Sequence, residues 1–515
     1  MKKLNNDKVL QSLPTAIVGS GIAGLAVAFH LKKRKVPFVI FEKNSSAGGT
    51  WFENNYPGCR SDIPSHLYSF SFSPNPNWSK KMVNQGEFLQ YLKDVVQKNK
   101  LLPYIRFNTV VQSAVFDEET GLWKVCAKMG ESKVYEEYFK MFVSAVGQLN
   151  KPKLPEIEGL ESFKGRIFHT ARFPDDVNFK NKNVGIIGNA ASAVQIIPKI
   201  TTKVRHLHVF QRTPNDMIPQ LNSIYPKWMK KLFSKMPFVM RLYRWWLYWE
   251  NESYYIMIRF RILRKFLGKY FRWRMKLTIG TNHPQLIESC IPRFEFTCKR
   301  ILRSNEYLHA LKNDNVNLVT SKIEKINAQG IVTKKQTYPF DIIILATGFD
   351  VNKWLRPITI TNKTKNKSLS EIWEDNPQAY LGMALPDFPN FFILYGPNTN
   401  LLHTSVTFML ERQARYCSII AEHLYRSKSK LIRLKRKTLE KYTLKIKEGL
   451  MKIAVVGDCS NWYQNKEGKV TSVFPFSTVY YWFKTQKVNY SEYEEIERTE
   501  IEVENTEKSF NDRLN

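Results

Sequence analysis

The sequence lacks any long apolar run. No stretch of about 18 or more uncharged apolar residues occurs, and the basic start, MKKLNNDKVLQSLP, has no apolar core behind it. We therefore expect neither a membrane-spanning helix nor a secretory signal, and we expect a cytoplasmic protein. Apolar residues still make up 43% of the 515 residues and aromatic residues 13%, which suffices for buried cores and excludes a disordered chain.

Cysteine is scarce, and its spacing matches neither a redox motif nor a metal site. The six cysteines contain no C-x-x-C pair, and no histidine stands at zinc-finger spacing from them. We therefore predict no metal site and expect free thiols in a reducing compartment. The cysteines are Cys59, Cys126, Cys290, Cys298, Cys417 and Cys459.

Acidic residues are few compared with basic ones. Asp and Glu number 46 against 78 Lys and Arg, a formal net charge of +32. Two short stretches, 227–276 and 426–447, hold much of the excess, whereas 492–508 is rich in Glu. Such a balance raises nucleic acid or an anionic membrane as partners. The sequence contains no helix-turn-helix, zinc-finger or RNP-like pattern, so we expect no nucleic-acid partner.

Residues 15–43 have the pattern of a dinucleotide-binding βαβ unit. A strand at about 16–18 leads into Gly19-x-Gly21-x-x-Gly24, a helix follows to about residue 33, and a second strand ends at Glu42. The glycines permit a tight turn and a close approach of the backbone to a pyrophosphate, while the helix N-terminus offers free N–H groups. Glu42 is placed to accept hydrogen bonds from ribose hydroxyls. The pattern predicts dinucleotide binding here.

A second unit of this kind begins at about residue 183. A strand leads into Gly188-x-Ala190-x-x-Ala193, and a helix and another strand follow, up to Arg212. Ala190 adds a methyl group where backbone and phosphate approach each other. An arginine in place of the acid suits the 2′-phosphate of NADP and disfavours NAD. The residues assigned to this site are Gly188, Ser192, Arg212 and Thr213.

An acidic residue at the first unit and a basic one at the second imply FAD in one and NADPH in the other. The predicted fold class is α/β, with two Rossmann-like dinucleotide-binding domains and a helical insertion. Strands at 143–147 and 340–346 are predicted to mark where the chain leaves and re-enters the FAD domain. The predicted order is an FAD domain at 1–150, an NADP domain at 151–340 with a basic aromatic helical insertion at 215–295, the rest of the FAD domain at 341–490, and an acidic tail at 491–515.

Several motifs resemble those of class B flavoprotein monooxygenases, and within them the Baeyer–Villiger monooxygenases. The resemblance covers roughly residues 15–490. FKGRIFHTARFP at 163–174 is similar to the family fingerprint, and Gly49-x-Trp51-x4-Tyr56-Pro57-Gly58-x-x-x-Asp62 matches a family motif at every fixed position. LATGF at 345–349 and GPNTN at 396–400 also resemble family segments.

The fingerprint alone leaves two subfamilies open. Phe173 stands where the Baeyer–Villiger fingerprint carries Trp, and Pro174 follows where the related N- and S-oxygenases usually have a basic residue. Cys298-Lys299-Arg300 resembles the segment that delivers the Baeyer–Villiger active-site arginine. The resemblance therefore assigns catalysis to Arg300 and Asp62, and cofactor binding also to Gly49, Trp51 and Asp62.

The resemblance implies an NADPH-dependent flavoprotein monooxygenase. NADPH would reduce FAD, O2 would add to flavin C4a, and the peroxide would insert oxygen into a small apolar ketone to give an ester or lactone. Arg300 would stabilise the anionic species, with Asp62 as its partner. Two alternatives remain open. One is an N- or S-oxygenase with less need of Arg300, and the other is a redox-inactive, membrane-recruited protein that has kept the fold.

The segment 227–276 predicts two basic amphipathic helices. One apolar face carries Phe238, Leu242, Trp245 and Trp249, and the other carries Ile262, Phe266, Tyr270 and Trp273. On one interpretation these faces pack over the active-site entrance. On the other they lie in the interface of an anionic bilayer, so that the protein is peripheral on a membrane. The acidic tail is then either repelled by that membrane surface or covers the basic patch when no membrane is present.

Overall fold

The computed structural model describes residues 13–351, 353–365, 367–427, 430–457, 459 and 461–497. Most of the predicted acidic tail, 498–515, lies outside the described residues. The strands are β1 (Thr15–Val18), β2 (Phe38–Phe41), β3 (Ile105–Arg106), β4 (Thr109–Asp117), β5 (Leu122–Met129), β6 (Lys133–Phe139), β7 (Met141–Ser144), β8 (Arg166–His169), β9 (Asn183–Ile187), β10 (His206–Phe210), β11 (Met217–Ile218), β12 (Leu302–Arg303), β13 (Val316–Val319), β14 (Ile323–Ile326), β15 (Gly330–Thr333), β16 (Thr337–Pro339), β17 (Ile342–Leu345), β18 (Thr359–Asn362), β19 (Phe391–Ile393), β20 (Lys430–Leu434) and β21 (Tyr493–Glu497).

The described helices cover both nucleotide-binding units and the segment between β11 and β12. They are α1 (Ile22–Lys33), α2 (Thr50–Glu53), α3 (Ser65–Tyr68), α4 (Gln85–Lys98), α5 (Ala191–Ile200), α6 (Lys227–Lys235), α7 (Pro237–Arg259), α8 (Arg261–Ile279), α9 (Pro284–Cys290), α10 (Tyr307–Ala310), α11 (Leu369–Trp373), α12 (Val406–Arg426), α13 (Arg436–Leu450) and α14 (Thr478–Thr485).

The first glycine-rich turn belongs to a five-stranded parallel sheet with the order β19-β7-β1-β2-β3. Every residue of β1 and of β7 is buried, as expected of parallel strands covered on both faces. Helix α1 packs against α12 on one side of this sheet. The predicted helix end at residue 33 and the predicted second strand at 38–41 agree with the structure.

The second glycine-rich turn belongs to another five-stranded parallel sheet, with the order β13-β10-β9-β17-β8. Strand β17 is the strand predicted at 340–346. It was expected to mark the return to the first domain, and instead it lies beside β9 in the second sheet. We therefore propose that the second domain extends through β17 before the chain returns to the first. Sequence order could not show this, because sheet membership depends on pairing between distant strands.

Smaller sheets accompany the two parallel ones. Strand β18 joins β4, β5 and β6 in one sheet, and β14, β15 and β16 form an antiparallel meander. Strand β21 pairs antiparallel with β20, so that Glu494 lies opposite Arg433. The start of the predicted acidic tail is therefore a strand of the fold. Its strand partner comes from the basic stretch at 426–447 and not from the insertion helices.

Helices α7 and α8 confirm the predicted helical faces in the insertion. They meet at Phe260, whose backbone is extended (φ −102°, ψ 116°). None of the helices in the described part of the chain combines the length and apolarity needed to cross a bilayer. The aromatic faces of both helices are exposed, so the interpretation that they pack over the active-site entrance is wrong for these residues.

Candidate active site

The first glycine-rich turn is shaped by its own backbone at two of its three glycines. Gly19 has φ +102°, and a Cβ on Gly24 would lie 1.8 Å from the Gly19 carbonyl oxygen. A Cβ on Gly21 would meet the backbone of Gly49 only at ordinary contact distances, 3.5 Å from its Cα and 3.9 Å from its nitrogen. The protein itself therefore requires Gly19 and Gly24, whereas the space beside Gly21 fits the close approach of a bound dinucleotide.

Glu42 lies at the end of β2 beside this turn, and its side chain is buried. One carboxylate oxygen accepts hydrogen bonds from the backbone N–H and the hydroxyl of Ser20, both at 2.7 Å. The other accepts the backbone N–H of Asn44 at 2.9 Å. A carboxylate has about four acceptor positions, so Glu42 retains capacity for a ribose hydroxyl.

The motif that begins at Gly49 connects the turn to the candidate catalytic pair. Gly49 has φ +53°, and a Cβ there would lie 2.9 Å from the Cα of Gly21. Trp51 is buried, and its indole N–H points to the Tyr68 hydroxyl at 3.4 Å. Burial raises the pKa of Tyr68 to about 12, and the nearby Asp62 raises it as well. The short segment from Gly49 to Asp62 therefore connects the first glycine-rich turn with Asp62.

The second turn repeats the backbone requirement of the first. Gly188 has φ +111°, and a Cβ on it would lie 2.4 Å from the carbonyl oxygen of Ala346. Ala190 is the N-cap residue of α5, and Ser192 lies in the first turn of this helix. The free N–H groups of a helix start therefore follow this glycine as they follow the first.

A basic cluster forms where β10 ends. Arg212 is exposed, and Lys299 donates a hydrogen bond to the hydroxyl of Thr213. Burial lowers the pKa of Lys299, and the charge of Arg212 lowers it further. The structure thus brings Arg212 and Thr213 together with a lysine that the sequence reasoning did not assign. The feature of the sequence that could have identified Lys299 is its position directly before Arg300.

Gln195 on α5 joins the two nucleotide-binding units. A Cβ on Gly58 would lie 2.4 Å from the Gln195 carbonyl oxygen, so the chain at Gly58 touches the helix directly. The Gln195 side chain accepts from the Tyr56 hydroxyl at 3.0 Å and donates to the Arg60 carbonyl at 3.1 Å. Nothing in the sequence marks this glutamine, because both contacts depend on how the two units pack.

Arg300 and Asp62 form an ion pair between the two units. The guanidinium donates to the Asp62 carboxylate, and 39% and 36% of the two side chains are exposed. Burial alone would raise the pKa of Asp62, but the charge and hydrogen bond of Arg300 hold it below its ordinary value. Asp62 in turn raises the pKa of Arg300. Both groups therefore stay charged at neutral pH.

Two tyrosines lie near this ion pair and were not found from the sequence. Burial raises the pKa of Tyr463 to about 12, while the positive charge of Arg300 lowers it. Burial also raises the pKa of Tyr395 above its ordinary value. Both phenols are therefore neutral at physiological pH. The two tyrosines therefore give Arg300 aromatic neighbours and add no negative charge to that of Asp62.

The segment that carries Arg300 is held by a disulfide, which corrects an expectation from the sequence. Cys298 is bonded to Cys459, whereas Cys59, Cys126, Cys290 and Cys417 are free. The prediction of free thiols was therefore wrong for one pair. The two cysteines are 161 residues apart in the sequence, and only the folded chain brings their Cα atoms to 6.2 Å.

The fingerprint lies where the two units meet. His169 ends β8 and pairs with Leu345 of the neighbouring strand, so the fingerprint and LATGF lie side by side at the carboxyl ends of parallel strands. Phe173 packs edge-on against Phe168, with ring centres 5.0 Å apart. Arg172 reaches Glu53 of the first unit at 3.2 Å.

Comparison with known proteins agrees with this arrangement. Residues 13–236 match the family model described as flavin-binding monooxygenase-like. An FAD-binding monooxygenase of Aspergillus niger, ktnD, is 36% identical over 93% of this chain and 81% of its own length. A Baeyer–Villiger monooxygenase of Pseudomonas aeruginosa is 33% identical over 87% of this chain and 84% of its own length. A solved structure of oxidized steroid monooxygenase bound to NADP is 28% identical, with a TM-score of 0.84 over 94% of this chain and 99% of that chain.

These relatives span both units, and the fold is the predicted one of two Rossmann-like sheets with a helical insertion. The cofactors are FAD and NADPH, as predicted from the two turns. The chain therefore belongs to the class B flavoprotein monooxygenases, in the family that comprises the Baeyer–Villiger and flavin-containing monooxygenases.

Proposed function

We propose that this enzyme inserts one oxygen atom of O2 into a small apolar ketone and forms an ester or a lactone. The observation that carries the proposal is the ion pair of Arg300 with Asp62. Oxygen insertion next to a carbonyl passes through a species with negative charge on the former carbonyl oxygen, and a fixed cation stabilises that charge. Oxygenation of a neutral nitrogen or sulfur has less need of such a cation.

The residues present fit the two cofactors. For FAD they would be Gly19, Gly21, Gly24, Glu42, Gly49, Trp51 and Asp62, and for NADPH Gly188, Ser192, Arg212 and Thr213, to which we add Lys299. When bound, the flavin supplies the chemistry that activates O2. The protein's task is to bind, to orient and to exclude water.

Arg300 and Asp62 have separate tasks in this proposal. The guanidinium of Arg300 keeps its proton at any physiological pH, so it supplies positive charge without titrating. Asp62 accepts from one side of that guanidinium and fixes its direction. Since the pKa of Asp62 is lowered, its charge is present above the ordinary carboxyl pKa and is lost only as the pH falls through the lowered value.

The relatives support a carbonyl substrate of apolar character. One is named a Baeyer–Villiger monooxygenase and another a steroid monooxygenase. The first name denotes oxygen insertion beside a ketone, and the second an apolar substrate. The neutral tyrosines near Arg300 agree with an apolar surrounding, since they add no charge.

A ketone panel tests the proposed reaction. The FAD-loaded enzyme is supplied with NADPH, isotopically labelled O2 and a set of cyclic, linear and aryl ketones, beside a matched set of amines and sulfides. We expect at least one ketone to give an ester or lactone that carries a single labelled oxygen, measured by mass spectrometry. Conversion of amines or sulfides alone would assign the enzyme to heteroatom oxygenation. NADPH oxidation that yields only hydrogen peroxide across both sets would count against either activity.

Arg212 offers a test of the coenzyme site. Replacing it with alanine removes charge-assisted hydrogen bonds to the 2′-phosphate, so we expect the KM for NADPH to rise roughly ten- to a hundredfold. The KM for NADH, which lacks this phosphate, should change little. Steady-state kinetics with both coenzymes measures the difference.

Arg205 provides the matched control, because it is an exposed arginine just before the opposite end of β10. Arg205→Ala should leave both KM values unchanged. If Arg212→Ala alters the KM for NADPH and for NADH equally, the assignment of the phosphate site is wrong.

A further inference from the structure

The aromatic face of α7 is left open to solvent. Phe238, Leu242, Trp245 and Trp249 are 56%, 63%, 61% and 52% exposed. Their spacing of four, three and four residues places them on one side of the helix. Trp246 beside them is 56% exposed as well. Large aromatic side chains in such number are unusual on a protein surface that contacts only water.

Helix α8 repeats the arrangement. Ile262, Phe266, Tyr270 and Trp273 are 83%, 70%, 42% and 56% exposed. The helix packs against α7, from which only Phe260 separates it in the sequence. Phe260 is itself 55% exposed. Exposed apolar side chains therefore continue from one helix to the next through the joint.

Buried polar contacts fix the orientation of α7. Arg244 donates to the carbonyl oxygens of His66 and Ser69, the second at 2.8 Å. Glu252, further along the helix, accepts from the Thr478 hydroxyl at 2.5 Å and lies 3.1 Å from the His403 ring nitrogen. These contacts define the inner side of the helix, so the aromatic side faces the solvent.

Helix α8 is held in the same way. Arg264 donates to the Ile258 carbonyl at 2.5 Å, and its guanidinium lies 2.9 Å from Glu295. Arg272 pairs with the buried Asp216 through two hydrogen bonds of 2.8 and 3.0 Å. The arginines that face inward are thus used as anchors of the helices.

Apart from Arg259, which is half-buried, the remaining cations of the two helices are exposed beside the aromatic faces. None of them forms an ion pair with a residue that the structure describes. They are Arg241, Arg261, Lys265, Lys269, Arg274 and Lys276. A second copy of the chain on this surface would bring these positive charges against each other. An anionic partner would neutralise them.

We propose that the outward side of α7 and α8 is a docking surface for an anionic lipid bilayer. The aromatic side chains enter the boundary between headgroups and acyl chains, and the exposed lysines and arginines meet the anionic headgroups. The helices lie in the plane of the interface, in keeping with their inability to span it. The proposed membrane contact rests on the exposure and charge of these side chains and not on the ketone reaction. Either proposal can therefore fail while the other stands.

Co-sedimentation of the full-length, FAD-loaded enzyme with vesicles tests this surface. We expect binding to phosphatidylcholine vesicles that contain phosphatidylserine, weaker binding to pure phosphatidylcholine, and loss of binding at high salt because charges are then screened. Replacing Trp245, Trp246 and Trp249 together with alanine should weaken binding to anionic vesicles by roughly tenfold or more. Flavin content and circular dichroism check that this variant is folded.

Two further variants separate the aromatic and the charge contributions. Changing Lys265 and Lys269 to glutamine should reduce binding to anionic vesicles about tenfold or more, while binding to pure phosphatidylcholine stays as it is. Alanine at three exposed apolar residues elsewhere should leave binding unchanged. These are Leu444, Met451 and Phe483, which are 60%, 74% and 66% exposed.

Three results would overturn the proposal. The first is wild-type enzyme that stays in the supernatant with anionic vesicles at low salt. The second is a tryptophan variant that binds as tightly as wild type. The third is analytical ultracentrifugation that shows a wild-type dimer which the tryptophan variant lacks, together with the absence of vesicle binding, since this would assign the surface to a second copy of the chain.

Discussion

The Arg300→Ala enzyme is expected to form ester at least about a hundred- to a thousandfold more slowly than wild type, the range seen when one stabilising donor of an oxyanion is removed. Reduction by NADPH should remain measurable, because the proposed coenzyme contacts at Arg212 and Thr213 are untouched. Stopped-flow absorbance follows flavin reduction, and mass spectrometry follows the ester. The expected signature is therefore oxidation of NADPH that is no longer coupled to product.

Two companion variants separate charge from geometry at this position. Arg300→Lys keeps the positive charge but loses the planar fork that meets Asp62, so it should recover only part of the rate. Asp62→Asn keeps Arg300 but weakens the contact that orients its guanidinium. We expect a smaller decrease in the rate of ester formation than for Arg300→Ala. Ester formation by Arg300→Ala at the wild-type rate would remove Arg300 from the proposed reaction and favour heteroatom oxygenation.

Replacing Gly21 by alanine is expected to lower the FAD content at least about tenfold while the protein remains folded. In the protein itself the added Cβ makes only ordinary contacts with the backbone of Gly49, at 3.5 and 3.9 Å, but it occupies the space where the backbone approaches the pyrophosphate. Flavin absorbance relative to protein measures the loss. Thermal unfolding of wild-type and variant apoprotein should give similar midpoints.

Gly24→Ala is the matched comparison, since the same methyl group is added three residues further along the turn. Its Cβ would lie 1.8 Å from the Gly19 carbonyl oxygen, so the turn must distort whether or not FAD is present. We expect a destabilisation of about 1–3 kcal/mol or more in the apoprotein as well as loss of flavin. Full FAD occupancy in Gly21→Ala would show that the pyrophosphate does not lie beside this residue.

The local features of the fold could be predicted from the sequence because each depends on neighbours along the chain. The strand at 38–41 and the end of α1 follow from apolar periodicity and from the glycines before them. The sheet to which a strand belongs could not be predicted in this way. Strand β17 has the same apolar character as strands of the first sheet, and only its pairing with β9 and β8 places it in the second.

The candidate site was predictable where a family motif marks a residue and not where only the folded chain creates the contact. Asp62 and Arg300 were both assigned through resemblance to family segments, and the structure places them in one ion pair. Lys299 and Gln195 were missed because each contacts a residue distant in the sequence, Lys299 within the second unit at Thr213 and Gln195 across the two units at Tyr56. A single sequence has no record of such contacts, since their partners are far away along the chain.

The bond between Cys298 and Cys459 makes part of the backbone a closed covalent ring, with one tail leaving at each cysteine. Strand β19 lies within the ring, whereas β1 and β7, which share its sheet, lie in the N-terminal tail. A single peptide bond cut inside the ring opens it without releasing a fragment. Such a nicked enzyme runs as one species in electrophoresis without reductant and separates into two pieces only when the disulfide is reduced. In electrophoresis, cleavage in this region is therefore detected only after the disulfide is reduced, and not from the apparent mass of the unreduced protein.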